Sequence, residues 1–301
     1  MPVPHRWVGI DQGYSQMGLA VVDDTGEVLA VHRTREPSGN GHDREIALAR
    51  LRHLLARANA LRDAPVHLAG YCYEGSGVAE AFTEAGWTVA ARKALNDVVG
   101  VYGLTPMPGH VVVSCCGTFS QVVYIDDRQA VRWPGADIAP GLPEWPLCGD
   151  AYARFLVTHA RTAPATPLAR TVRETLGTLP PPGEAPPPDQ WPRLAPLLSA
   201  ALDDDPVARA FLTRAAATVV ETRNALWPRA DPPRPCDIVV GGGAVSDDRL
   251  WAFLSEQWRG HGVRVHRATG EPSVGLARYA LTHPDADPWA FIGEERPDWL
   301  S

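Results

Sequence analysis

Trp7-Val-Gly-Ile-Asp11-Gln-Gly-Tyr-Ser15-Gln-Met-Gly18-Leu-Ala-Val-Val22-Asp-Asp-Thr-Gly26 is the stretch that decides the fold. A short apolar run ends in an acid, Gln12 to Ser15 turn tightly, and a second apolar run from Gly18 to Val22 closes on Asp23-Asp24-Thr25-Gly26. Apolar runs of this length bounded by Gly, Asp and Ser read as strands, so the segment is a strand–turn–strand hairpin. Val28 to His32 follows as a third antiparallel strand. Ile46, Leu48, Leu51, Leu54, Leu55, Ala58 and Leu61 then recur at helical spacing, which predicts a helix from Asp43 to Leu61 covering the sheet, with its arginines on the other face.

Farther along, Val66 to Gly70 reads as a strand, Ser76 to Ala85 as a helix, Trp87 to Ala91 as a strand, and Leu95-Asn96-Asp97 opens a short helix through Val101. Such alternation implies βαβ units. The opening plan then recurs: a strand from Val111 to Ser114, a turn at Cys116-Gly117-Thr118-Phe119-Ser120, a strand from Val122 to Ile125 and the pair Asp126-Asp127. This repetition suggests an internal duplication. Beyond it, helical pattern from Ala151 breaks at a proline-rich stretch, Leu179 to Pro188, whose consecutive prolines suit an exposed loop. A long helix is expected from Val207 to Trp227. An apolar strand from Asp237 then feeds the turn Gly241-Gly242-Gly243-Ala244, and a helix from Asp247 to Trp258 is capped by Ser246 or Asp247. A strand from Val263 to His266 and a helix from Ser273 to Leu281 complete the pattern.

At 301 residues the chain has room for two domains, and 45% hydrophobic against 21% charged residues is a globular balance. Acidic residues exceed basic ones by 35 to 28, a net charge of −7 that argues against nucleic acid as a partner. Lys93 is the single lysine, and its Arg92-Lys93-Ala94 context is no Walker A loop and no activated Schiff-base site. The five cysteines are odd in number and contain no C-x-x-C pair, so they read as reduced, mostly buried thiols. Neither a signal-peptide core nor a run of ~20 apolar residues occurs, so a cytoplasmic protein without a membrane partner is expected.

Three loops carry candidate chemistry: Asp11 to Ser15, Cys116 to Ser120, and Gly241 to Ala244. Glycine lets backbone N–H groups converge on an anion and Ser or Thr adds a donor, although tight hairpins use the same residues for geometry alone. In order and spacing the chain resembles the actin-like ATPase and sugar kinase superfamily, in particular its branch of N-acetylglucosamine kinases and BadF/BadG/BcrA/BcrD-type ATPases. The motifs that carry the resemblance are Asp11-Gln-Gly13-Tyr14-Ser15, Asn96-Asp97, Gly117-Thr118-Phe-Ser120, Gly149-Asp150, Gly241-Gly242-Gly243-Ala244 and Pro272-Ser-Val-Gly275-Leu-Ala277.

The resemblance implies an α/β fold of two ribonuclease-H-like lobes, each a mixed sheet flanked by helices, with a central cleft. The lobes would span 1–106 and 107–272, the second with a Pro-rich loop at 179–192, while the C-terminal segment 273–301 packs back on the first. It also implies a kinase that uses ATP and Mg²⁺ to phosphorylate a hydroxyl of a sugar or amino sugar, with a homodimer left open. Asp11 would hold the metal; Gly13, Tyr14, Ser15, Gly117, Thr118 and Ser120 would hold phosphates; Gly241, Gly242, Gly243 and Ala244 would hold adenosine. Asp97 would be the catalytic base, and Asn96, Asp97 and Asp150 would bind the acceptor. Asn96-Asp97 is also a good helix-cap pair on its own terms. Departures fall in the phosphate loops: Phe119 replaces a glycine, Gln12 and Tyr14 replace small residues, Gln16 stands where relatives carry a lysine, and Gly149-Asp150 continues as Ala151-Tyr152. A non-catalytic ligand-binding descendant therefore stands as the alternative.

Overall fold

The opening hairpin is formed by β1 (Arg6–Gln12) and β2 (Met17–Val22), antiparallel, with Trp7 opposite Val22 and Asp11 opposite Gly18. The computed structural model describes residues 5–71, 75–107, 111–118, 120–125, 131–132, 146–226 and 237–285. The third strand, β3 (Val28–Thr34), extends the hairpin, and β4 (Val66–Tyr71) and β5 (Val89–Ala94) add parallel strands on the other side of β1. The order of this first sheet is β3-β2-β1-β4-β5.

Strand periodicity of two separates its faces. Val8 and Ile10 of β1, with Met17, Leu19 and Val21 of β2, bury against α1 (Arg44–Arg57) and α2 (Gly75–Glu84) through Leu51, Leu54, Leu55, Ala81 and Phe82. Asp43 caps α1 by accepting from the N–H groups of Glu45 and Ile46. The helix stops at Arg57, short of the expected Leu61, because Ala58 caps it and residues 59–61 tighten into a 3₁₀ turn. Its arginines do not all face away: Arg50 is buried, 1% exposed.

The opposite face of the sheet receives α9 (Pro272–Thr282), which also packs along α3 (Asp97–Leu104). These contacts are backbone-close. A Cβ on Gly9 would lie 1.8 Å from the Ser273 carbonyl oxygen, and one on Gly275 would lie 1.8 Å from the Gly100 carbonyl oxygen. No residue but glycine fits at either position without moving a helix.

The second sheet repeats the plan. A hairpin of β6 (Val111–Cys116) and β7 (Ser120–Ile125) carries a two-residue edge strand, β8 (Val131–Arg132), and β9 (Asp237–Gly241) and β10 (Val265–Arg267) run parallel on the far side. The order β10-β9-β6-β7-β8 matches that of the first sheet strand for strand, the duplication expected from the repeated hairpins. Its core joins Val112, Ile238 and Val240 to α4 (Gly149–Thr162), α5 (Pro167–Leu176), α6 (Trp191–Ala201), α7 (Pro206–Leu226) and α8 (Asp248–Gly260). The proline-rich segment is irregular from Leu179 to Pro187, but residues 188–190 tighten into a 3₁₀ turn and Trp191 and Pro192 already belong to α6, proline being tolerated in a first helical turn. Asp247 rather than Ser246 caps α8, accepting from the Leu250 N–H at 2.8 Å.

By contacts the chain forms two compact units. Among the described residues one is built on 5–107, 131–132 and 268–285, the other on 111–125 and 146–267. The class is therefore α/β, with two mixed sheets each flanked by helices. No helix among the described residues is long and apolar enough to cross a membrane.

Candidate functional site

In the first unit β1 runs its apolar residues into the sheet and delivers Asp11 at the strand's C-terminal end, the end where parallel α/β sheets place their ligands. The turn that follows is braced from behind. The Gly13 N–H donates to the Gln16 carbonyl at 2.9 Å, the Gly41 N–H donates to the Tyr14 carbonyl at 2.7 Å, and Gln12 Nε2 donates to the Gly41 carbonyl at 2.7 Å. Arg50 reaches out of α1 and donates to the carbonyl oxygens of Arg35, Pro37, Gly39 and Tyr14, at 3.0–3.3 Å. A buried guanidinium thus welds the 35–41 loop to the hairpin, and burial lowers its pKa from the ordinary arginine value.

Asp97 comes to the same place from another direction. The Leu95 N–H donates to the Gly70 carbonyl at 3.1 Å and fixes the junction after β5, and Asn96 caps α3 by accepting from the Val98 N–H at 3.0 Å. Asn96 therefore does the capping work its position suggested, and Asp97 falls in the first turn of α3. The two carboxylates feel each other. Burial, and after it the negative charge of Asp97, push Asp11 from 3.8 up to about 7, with Glu271 adding to the rise and Arg33 opposing it. Asp11 nevertheless keeps partial solvent exposure. Glu271 sits at the N-cap of α9, and Arg33 Nε donates to Glu271 Oε2 at 2.9 Å.

The second unit gathers its own three segments. Cys116 and Ser120 pair across the base of the β6–β7 turn. The carbonyl oxygens of Gly117 and Thr118 accept from the N–H groups of Gly149 and Asp150, at 2.9 and 3.0 Å, so the first turn of α4 is docked on the hairpin. Cys115 is in register with Gly241, and Gly242, at φ 109°, lies over the Cys116 backbone so closely that a Cβ would come within 2.5 Å of its carbonyl oxygen. Gly117–Thr118, Gly149–Asp150 and Gly241–Ala244 thus meet where β6 and β9 end. Asp150 is bonded to Arg154 Nε at 2.8 Å on the same helix. Phe119, the bulky replacement in this turn, lies outside the described residues.

Cys115, Cys116 and Cys148 are buried thiols, and burial raises the Cys148 thiol above its ordinary pKa; Cys72 and Cys236 lie outside the described residues. The pairing of Arg33 with Glu271, the bracing by Arg50 and the glycine contact between α3 and α9 escaped sequence reading. For Arg50 a signal existed, since it lies three residues after Ala47 and four before Leu54 on the apolar row. An open groove of about 530 Å³ along α7, from Asp203 to Ala217, contains none of the candidate residues.

No family model and no curated protein matches the chain by sequence. Solved structures match it by fold. A protein of Chromobacterium violaceum, provisionally described as an N-acetylglucosamine kinase, superposes with a TM-score of 0.61 at 22% identity, over 92% of this chain and 98% of its own. A Porphyromonas gingivalis protein with the same provisional description gives 0.64 at 15% identity, over 93% and 99%. A ROK family glucokinase from Streptomyces griseus, solved with glucose and AMPPNP, gives 0.60 at 17% identity, over 91% and 98%. The chain has the fold of the sugar kinases of the actin-like ATPase superfamily.

Proposed function

We propose that this protein is an ATP-dependent kinase that phosphorylates a hydroxyl of a sugar or amino sugar of the N-acetylglucosamine or glucosamine type. The observation that carries the reading is the convergence of Asp11 and Asp97, from the ends of β1 and β5, on one electrostatically coupled pair beside the first glycine turn. Phosphoryl transfer is chiefly positioning and charge neutralisation, and it needs a metal-holding acid and a base for the attacking hydroxyl. The nucleotide-bound neighbour and the shared fold support the same activity class.

The residues present suit Mg²⁺. This ion keeps several waters and takes one or two carboxylates, so a coupled pair is a better match than a cage, and no cluster of three or more metal-ligating side chains occurs among the described residues. A carboxyl raised to about 7 is one whose charge lacks compensation, which a hard divalent cation provides. Asp11 is the metal-holding residue in this reading, and bound Mg²⁺ would neutralise phosphate charge.

Asp97 accepts the proton of the acceptor hydroxyl as its oxygen bonds to the γ-phosphorus and the bond to the β-phosphate oxygen breaks, releasing ADP. Tyr14, Ser15, Gly117, Thr118 and Ser120 supply phosphate donors, Gly13 shapes the first phosphate turn through its N–H bond to the Gln16 carbonyl, and Gly241 to Ala244 carry adenosine. Asn96 and Asp150 bind acceptor hydroxyls, Asp150 with one oxygen held by Arg154. Calorimetric titration with Mg·ATP tests the reading. Binding that Asp11→Ala abolishes supports it, and absence of nucleotide binding at millimolar concentration contradicts it. Thermal stabilisation by an N-acetylated sugar but not by ATP would instead identify the non-catalytic alternative.

A further inference from the structure

Three residues stand in one row across the first sheet: Asp11 on β1 pairs with Gly18 on β2, and Gly18 pairs with Arg33 on β3. Partners in such a row project to the same face, and the middle one has no side chain. Gly18, having no side chain, lets the start of α9 settle between the acid and the cation: Ser273 Oγ lies 3.3 Å from the position a Gly18 Cβ would take and the Asp11 Cβ lies 3.8 Å from it, so the space over Gly18 is filled and Ser273 is fully buried.

Two cations near the first hairpin are engaged elsewhere. Arg50 is engaged by four carbonyls behind the hairpin, and Lys93 Nζ donates to the carbonyls of His283 and Pro284. Gln16, in the turn itself, is neutral and its Oε1 is buried without a partner. Arg33 is the cation that acts electrostatically on Asp11, and its side chain is 43% exposed, with Glu271 holding one edge of the guanidinium. A guanidinium has five donors in a planar fork, so an edge occupied by one carboxylate leaves others for a phosphate.

We propose that Arg33, on the same face as Asp11 and positioned by Glu271, is the residue that recognises the terminal phosphate of the nucleotide in the first unit. The inference rests on the nucleotide-binding reading and adds the side chain that distinguishes ATP from ADP. A purely structural Arg33 would only clasp β3 to the start of α9, and exposed ion pairs of that kind contribute little to stability.

The test compares Mg·ATP and Mg·ADP affinities by calorimetry in the wild type, Arg33→Gln, Arg33→Lys and Glu271→Gln. Arg33→Gln is expected to weaken ATP at least tenfold while ADP changes less than threefold, so the preference for ATP collapses; Arg33→Lys restores part of it. Glu271→Gln lowers the preference by less than Arg33→Gln does, because it loosens the clasp that positions the guanidinium but keeps the cation. An unchanged ATP-to-ADP ratio in Arg33→Gln, or equal losses in Arg33→Gln and Glu271→Gln, overturns the assignment while leaving nucleotide binding intact. A wild type that binds neither nucleotide overturns both this inference and the reading beneath it.

Discussion

Asp11→Asn should stabilise the protein, and by more above neutral pH than in mild acid. The carboxyl titrates at about 7 in the fold against 3.8 for the ordinary group, because burial and the Asp97 charge oppose its ionisation. Between these values the unfolded chain has already released the proton that the folded chain keeps, so stability falls as pH rises through the window of about 4 to 7. At about 1.4 kcal/mol per pKa unit the full window sets a ceiling of roughly 4 kcal/mol, and the partial exposure of Asp11 brings the expected effect to about 1–3 kcal/mol. Urea unfolding of both proteins at pH 5 and pH 8 reads the difference directly. At pH 5, near the start of that window, the two midpoints should lie closer together than at pH 8, where the variant should unfold at clearly higher urea. An equal difference at both pH values, or a variant less stable at pH 8, would refute the coupling of Asp11 to its surroundings. Such a cost to the resting protein is what the proposed cation-binding role of Asp11 predicts.

Other outcomes follow from close packing. Gly275→Ala places a methyl 1.8 Å from the Gly100 carbonyl oxygen, so α3 must move from α9; we expect a loss of roughly 3 kcal/mol in thermal or urea unfolding and slower turnover through displaced Asp97. Gly242→Ala combines φ 109° with a contact of 2.5 Å to the Cys116 carbonyl oxygen, and should cost about 2 kcal/mol or more, whereas Gly243→Ala meets nothing within 4 Å and should change stability by less than about 0.5 kcal/mol. Equal melting temperatures for these two alanine variants would contradict the packing of the glycine loop on β6.

The hairpins are legible in the sequence because their signal is local: apolar runs of strand length, closed by Gly, Ser and Asp, repeated once. The same holds for the caps, since Asp43, Asn96 and Asp247 each sit immediately before an apolar helical pattern and each accepts the expected N–H. What is not legible depends on partners far apart in the chain. Nothing in Gly100 or Gly275 alone says that one helix backbone touches another, and nothing in Arg33 says that Glu271 will hold it. Arg50 departs from expectation because an arginine in an amphipathic helix ordinarily faces water; here the unsatisfied carbonyls of the 35–41 loop outweigh the cost of burying it. At the site, Asp11 and Asp97 could be singled out as residues, but their electrostatic coupling emerges only when β1 and α3 are brought to the same end of the sheet.

Sugar-dependent release of ADP tests the central claim most directly. Wild-type protein incubated with Mg·ATP and a panel of N-acetylated and free amino sugars should form ADP and a sugar phosphate in equal amounts with at least one member. Asp97→Asn should lower that rate by about 10²-fold or more, in the range that loss of a general base commonly costs, while retaining Mg·ATP affinity. Formation of ADP at the same rate in Asp97→Asn, or nucleotide bound without turnover across the whole panel, would contradict the account.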